Sequence, residues 1–461
     1  MDKALLGAGA VVAVLLGALA AFNPLAALAL VGVGAVLGLM IGAAPQASAL
    51  LLVTGVFLQQ PTSFAQVNTG PVGVVLVLMA ATLAVLTDHG LNLPRTQAVR
   101  ALIGVPLLLW LWITIQAVAT SDPLIKDTMR GAVSITITVL CAAAVVSSTH
   151  RARIALKAFV VLMGALGASA AITMIGIALK VNLFSVPYGQ LPLQSNWLPA
   201  DIRVPFSPGT TTTFEFGPLT FPRALGIFRE PGIFPVFLML AFFAMDAVLT
   251  STVRRIMGLA LIGGIIASGS TAGIIIFPIA LLLRYVVLEQ GRSAWVRRVA
   301  AVLLTPLALW AILTNRFVGL QAKAEKAPTS VDDRTTATIS GLQRLAENPL
   351  GSGIHSTMTD NSSINLLAAS GDIGLPGLLI PLIGLLVACI VMAPRVRQRV
   401  APAVLALVIT MLSSQPLLDA AAVWATLIIV TAGCFVTERP ASSDDVGEPE
   451  QVSRGQVSAI A

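Results

Sequence analysis

The chain has 461 residues, of which 56% are hydrophobic and 11% charged, and its formal net charge is +7. With a mean hydropathy of +0.91, it is too apolar for a soluble protein of this length and reads as a polytopic membrane protein. The positive charge does not point to nucleic acid, because basic residues in a membrane protein mostly encode orientation.

A bilayer core needs about 20 apolar residues per helix, and apolar runs of that kind recur along the chain. They fall near 4–22, 24–42, 47–60, 71–87, 101–120, 131–148, 156–179, 232–250, 256–268, 271–288, 299–315, 373–393, 400–413 and 416–436. The expected fold is all-α, a single bundle over 1–436 with about fourteen transmembrane helices (12–14). The first run, Ala4 to Phe22, lacks an obvious cleavage site and is followed at once by another, so it reads as a retained helix and not a signal peptide. Cys141, Cys389 and Cys434 all sit within apolar runs and read as small hydrophobes. No disulfide framework, metal-ligand spacing or cofactor motif is suggested.

Basic residues sort to one side of this topology. Arg95, Arg100, Arg151, Arg153, Lys157, Arg254, Arg255, Arg292, Arg297, Arg298, Arg395, Arg397 and Arg399 share it, together with Lys3, Arg439 and Arg454. The opposite short loops carry little beyond Lys126 and Arg130. The expectation is a multi-pass protein of the cytoplasmic membrane with both termini in the cytoplasm. Two long loops, 180–231 and 316–372, then lie outside. The polar, aperiodic tail 437–461 reads as disordered.

Loop 180–231 is rich in proline and aromatic residues, among them Pro187, Tyr188, Trp197, Phe214, Phe216 and Phe221. Such a loop packs at the headgroup level or offers ring faces to sugars. It ends on Pro222-Arg-Ala-Leu-Gly-Ile-Phe-Arg-Glu-Pro-Gly232, which sets Arg223, Arg229 and Glu230 at the mouth of a span. Arginines there suit an anionic, lipid-linked substrate. In loop 316–372, Asp332 or Asp333 reads as the N-cap of a helix with Ile339, Leu342 and Leu345 on one face. Asn348-Pro349, Gly351 and Gly353 end that helix. Gly371-Asp372-Ile-Gly374-Leu-Pro376-Gly377 opens the next span. Asp246 and Arg284 fall near the cytoplasmic ends of their spans, where Arg284 can snorkel. Asp419 falls toward the outer end of the last. Ser268, Ser270 and Thr271 either bind diphosphate or close a tight turn.

Arg223-x-x-Gly226-x-Phe228-x-x-Pro231 resembles the segment before a central helix in the O-antigen ligase and O-antigen polymerase superfamily. Arg334, then Asn348-Pro349-Leu350-Gly351-Ser-Gly353, Asp360-Asn361 and Gly371-x-x-Gly374-Leu-Pro-Gly377 resemble that family's large-loop signature. Ser268-Gly-Ser270-Thr271-Ala-Gly273 resembles its Thr-x-Ser-Arg-Gly step. The family's His-Asn pair reads Asp360-Asn361 here, with His355 five residues earlier, and the arginine of the serine-arginine step is replaced by Thr271.

The resemblance implies a membrane glycosyltransferase of the C type, with no cofactor or metal. It would join polyprenyl-diphosphate-linked oligosaccharide repeat units outside the cytoplasmic membrane, in cell-surface or exopolysaccharide synthesis. Membrane lipid, a flippase and a chain-length regulator are the implied partners. Two alternatives stay open: ligase-like transfer to a separate acceptor, and a polysaccharide transporter or flippase. As charge grows on the leaving diphosphate, arginine forks stabilise it, so Arg223, Arg229, Arg334 and Arg344 are the diphosphate-binding candidates. The same arginines also have a purely structural reading, as partners of Glu215, Glu230, Asp332, Asp333 or Glu347. His355, Asp360 and Glu230 are the candidates for the base that takes the acceptor's proton.

Overall fold

The computed structural model describes residues 44–59, 70–88, 96–122, 124–179, 185–187, 203–205, 213–216, 219–222, 224, 232–289, 295–314, 328–354, 364–414, 417 and 420–437. Its helices are α1 Ala44–Leu58, α2 Gly70–Asp88, α3 Gln97–Ala119, α4 Ile125–Val146 and α5 Thr149–Ala178. After the strands come α6 Phe234–Ala244, α7 Ser251–Ala267, α8 Thr271–Leu282 and α9 Trp295–Thr314. The last four are α10 Pro328–Glu347, α11 Leu366–Val391, α12 Pro394–Ser413 and α13 Ala421–Val436. A helix stands at each expected span from residue 47 onward. The runs 4–22 and 24–42 and the tail from 438 onward lie outside the described residues.

Among the described residues, five helices are long and apolar enough to cross a membrane: Gln97–Ala119, Ile125–Val146, Thr149–Gly176, Leu366–Val391 and Pro394–Ser413. The outer faces of these helices and of α9 suit a hydrocarbon surrounding. Leu108 is 58% exposed, Ile390 60% and Leu303 on α9 66%. At roughly 25 cal/mol per Å² such side chains are costly in water and at home in hydrocarbon.

Lipid provides no hydrophobic drive between helices, so close packing of small residues must supply the attraction. Gly167 on α5 meets α7 so closely that a Cβ there would stand 2.6 Å from the Ala260 carbonyl oxygen. A Cβ on Gly264 of α7 would lie 2.6 Å from Gly167 Cα. On α1 and α2 the same holds for Gly55 against the carbonyl oxygen of Gly73, at 2.8 Å.

At the centre of the bundle, α6 is buried along nearly its whole length, from Phe234 to Ala244. It is shorter than the expected span 232–250, passing into a 3₁₀ turn at Met245–Ala247. Asp246 pins that turn, pairing with Arg284 at 2.8 Å and with Arg399 at 3.0 Å. Arg284 therefore does not snorkel; its side chain is 14% exposed and also donates to the Phe243 carbonyl oxygen at 2.9 Å.

The described fold is helical as expected, and loop 180–231 adds two short strand pairs to it. Strands Ser185–Pro187 (β1) and Arg203–Pro205 (β2) pair antiparallel, as do Thr213–Phe216 (β3) and Leu219–Pro222 (β4). β-Branched and aromatic residues such as Val186, Val204, Phe214 and Phe221 favour strands. The many prolines hid this in the sequence, and they sit at strand ends here, as Pro187, Pro205 and Pro222 do. Both β2 and β4 lie against α5.

The helices alternate so that the bundle has two unlike ends. α5 and α7 run parallel, with Gly167 beside Ala260 and Gly263 beside Ala171. α3 and α11 run antiparallel, with the Trp112 indole donating to the Ile373 carbonyl oxygen. One end thus gathers Arg151, Arg254, Arg284, Arg297 and Arg399. The other gathers the ends of α3 and α5, the starts of α6, α8 and α11, and the helix α10.

Candidate functional site

At the end opposite the arginines, two stretches that are separate in sequence close on each other. α10 begins at Pro328, a residue tolerated in a helix's first turn because its missing N–H has no partner there in any case. Asp332 and Asp333 therefore lie inside the helix and neither is its N-cap. Of the apolar face read from the sequence, only Leu345 packs partly against the core. Ile339 and Leu342 are 52% and 42% exposed, while Ala337 and Gly341 face the protein. Gly341 lets α10 approach the start of α11, where a Cβ would stand 2.5 Å from the Leu367 carbonyl oxygen.

After Glu347 the chain turns. The Asn348 amide donates to the Arg344 carbonyl oxygen at 2.8 Å, and the Asn348 side chain donates to the Gly351 carbonyl oxygen, also at 2.8 Å. Gly351 has φ +80°, a conformation that costs other residues about 1–3 kcal/mol.

This turn grips a broken helix. α11 starts at Leu366, seven residues before the expected span, with Asn365 capping it by accepting from the Ala368 amide at 2.8 Å. Asn365 also donates to the Thr338 hydroxyl at 2.9 Å, fixing α11 to α10. At Gly374, φ 72° and ψ 177° interrupt the helix, freeing backbone groups that must find partners. The Gly353 amide donates to the Asp372 carbonyl oxygen at 3.0 Å, and the Leu375 amide to the Pro349 carbonyl oxygen at 2.8 Å. From α3, the Gln116 amide group donates to both the Leu350 and Asp372 carbonyl oxygens at 2.7 Å, and Trp112 supplies the bond to Ile373. The Pro-Leu-Gly turn and the Gly-x-x-Gly break are thus one clasp, closed by α3.

Arg344 and Arg334 project from α10 into this region. Arg344 lies 3.6 Å from the carboxylate of Asp372, whose side chain is 1% exposed, and donates to the Ala368 carbonyl oxygen at 3.4 Å. Asp372 is not among the acids expected from the sequence as its partner. Arg334 donates to the Ser413 carbonyl oxygen at 3.1 Å, at the end of α12. Because α12 packs on α6 and α8, Arg334 shares an end of the bundle with the starts of those helices.

There the Ser268–Gly273 step closes a tight turn. Ser268 donates to the Ile265 carbonyl oxygen at 2.6 Å, and Ser270 caps α8 by accepting from the Gly273 amide at 3.3 Å. Both serines are buried, so the turn-closing alternative describes their observed bonds. Beside them the Ala224 amide donates to the Ala267 carbonyl oxygen at 3.1 Å. Ala224 follows Arg223 in the chain. Arg223, Arg229, Glu230, His355, Asp360 and Asp419 lie outside the described residues.

Gln116, Trp112 and Asp372 carry parts the sequence reading missed. The signal for Gln116 was a long polar side chain late in an apolar span; that for Asp372 was an acid between two motif glycines. Among the described residues no group of His, Cys, Asp and Glu is placed to hold a metal ion. No family model matches the chain, and no curated protein matches it.

Proposed function

We propose that the chain is an O-antigen polymerase-like glycosyltransferase that joins polyprenyl-diphosphate-linked oligosaccharide repeat units at the outer face of the cytoplasmic membrane. The observation that carries this reading is the clasp. Segments that resemble the family signature, Asn348–Gly353 and Gly371–Gly377, are far from trivial neighbours in a helical bundle, yet they bond to each other and hold the arginine-bearing α10. The Ser268–Gly273 step and Ala224 stand at the same end.

In the proposed reaction a sugar hydroxyl of one repeat unit attacks the anomeric carbon of another. The bond from that carbon to the diphosphate oxygen breaks, and the hydroxyl's proton passes to a base, for which His355, Asp360 and Glu230 are the candidates. Charge collects on the departing lipid diphosphate. Arg334 and Arg223, with Arg229, take the diphosphate oxygens; Arg344, steadied by Asp372, reinforces the positive field. An arginine fork matches phosphate geometry in a way that a lysine ammonium does not. Asp360-Asn361, standing where ligases of this family carry a histidine, favours polymerisation over transfer to a separate acceptor.

The test is transfer activity in Arg334→Ala and Arg223→Ala variants. Each is expected to lose about 10²–10³ in rate at unchanged thermal stability, with Arg→Lys restoring little. Full activity in both variants would remove the arginines, and with them this reading of the site.

A further inference from the structure

The opposite end of the bundle holds a second built site. Arg284, Arg297, Arg395 and Arg399 line a cavity of about 230 Å³ with Asp246 and Glu289. Four guanidinium groups against two carboxylates leave an excess of two positive charges. The carboxylates are already engaged: Asp246 by Arg284 and Arg399, Glu289 by Arg297 at 2.6 Å. Their role is to hold the arginines in place, and Gln398 fixes the wall by donating to the Leu288 carbonyl oxygen at 2.7 Å.

The backbone is also shaped for this. α8 continues into a π turn over Leu283–Leu288, and the Glu289 amide donates to the Arg284 carbonyl oxygen at 2.9 Å. Such turns are uncommon and concentrate at functional sites.

A wider cavity of about 480 Å³ shares Asp246, Arg284 and Arg297 with the first. It adds Arg254 and Arg255, and an apolar wall of Phe242, Leu259, Ile262 and Tyr285. Leu259 is 73% exposed, on the outer face of α7 beside Ile256 at 67%. A strongly positive chamber therefore opens beside an apolar groove at the edge of the bundle.

We infer that these joined cavities bind an anionic phospholipid, its phosphate among Arg284, Arg395 and Arg399 and an acyl chain along Phe242, Leu259 and Ile262. Basic pockets between membrane helices recognise acidic headgroups through this combination of charge and apolar wall. A free phosphate satisfies only the first chamber. The inference does not depend on the glycosyltransferase reading.

The experiment is native mass spectrometry of the full chain, delipidated and then titrated with phosphatidylglycerol or phosphatidylcholine. Arg254→Gln/Arg395→Gln changes the cavities without touching the Asp246 pairs. Arg153→Gln/Lys157→Gln removes equal charge from exposed positions on α5, outside both cavities, and serves as the control. Preferential retention of phosphatidylglycerol, weakened about tenfold in the cavity variant alone and unaffected by millimolar inorganic phosphate, is the expected result. Equal retention of both lipids, or equal weakening in both variants, overturns the site. Displacement by inorganic phosphate overturns the lipid assignment and makes it a soluble-anion site.

Discussion

A methyl group at Gly351 would collide with the Asp372 carbonyl oxygen, the Gln116 amide nitrogen and the Gly374 amide nitrogen. None of the three can retreat cheaply. The two backbone atoms belong to the broken helix, and Gln116 bonds two carbonyl oxygens there. Gly351→Ala therefore meets both an unfavourable φ and a steric clash. It is expected to cost at least about 2 kcal/mol, read as a fall in the thermal midpoint of the purified protein in detergent. Asp372 is the complementary case. Asp372→Asn keeps the shape but removes the negative charge facing Arg344. Breaking a fully buried pair costs roughly 3–5 kcal/mol. Arg344 is 25% exposed and the contact is 3.6 Å, so solvent screening reduces the expected loss to about 1–2 kcal/mol. Restoration of stability by neutralising the partner as well, in Arg344→Gln/Asp372→Asn, would mark the pair as the cause. A double variant no more stable than the sum of the singles would show that the two residues act separately.

Among the elements, α5 and α7 are held by proximity, since Gly167 and Gly264 let their backbones meet. Gly167→Val inserts a branched side chain where even a Cβ has no room. It is expected to separate the helices and lower the yield of folded, monodisperse protein, while Val161→Ala on the exposed face of α5 is expected to do neither. The helices were legible in the sequence because a run of Leu, Val, Ile and Ala as long as a bilayer is thick has few other readings. What escaped was set by distant partners. The start of α11 at Leu366 depends on an Asn365 cap that also bonds Thr338 of α10. The end of α6 depends on Asp246 meeting Arg284 and Arg399, residues far along the chain. Both small sheets lie in a stretch where proline frequency argued against strands. In the candidate site, the turn glycines and Arg334 were legible as a motif. Gln116 and Trp112 were not, because a single polar residue in an apolar span does not say which backbone it will satisfy.

The gathering of Arg151, Arg254, Arg284, Arg297 and Arg399 at one end of the bundle, with the motif loops at the other, fixes an expected orientation. With the positive-inside bias, a cysteine placed at exposed Glu347 is expected to react with a membrane-impermeant maleimide from outside the cell. One placed at exposed Arg395 is expected to react only after permeabilisation. The reversed pattern would put the clasp in the cytoplasm, where a lipid-linked repeat unit exported for polymerisation is not found. Chemistry at the clasp is open to a direct measurement. The purified full chain is incubated with a polyprenyl-diphosphate oligosaccharide as its only substrate, without nucleotide sugar or added metal. Longer lipid-linked chains are expected, with free polyprenyl diphosphate released for each linkage made. Transfer only when a separate acceptor is supplied would make the protein a ligase; no transfer under either condition, with the lipid moved across proteoliposomes, would contradict the account and leave a transporter.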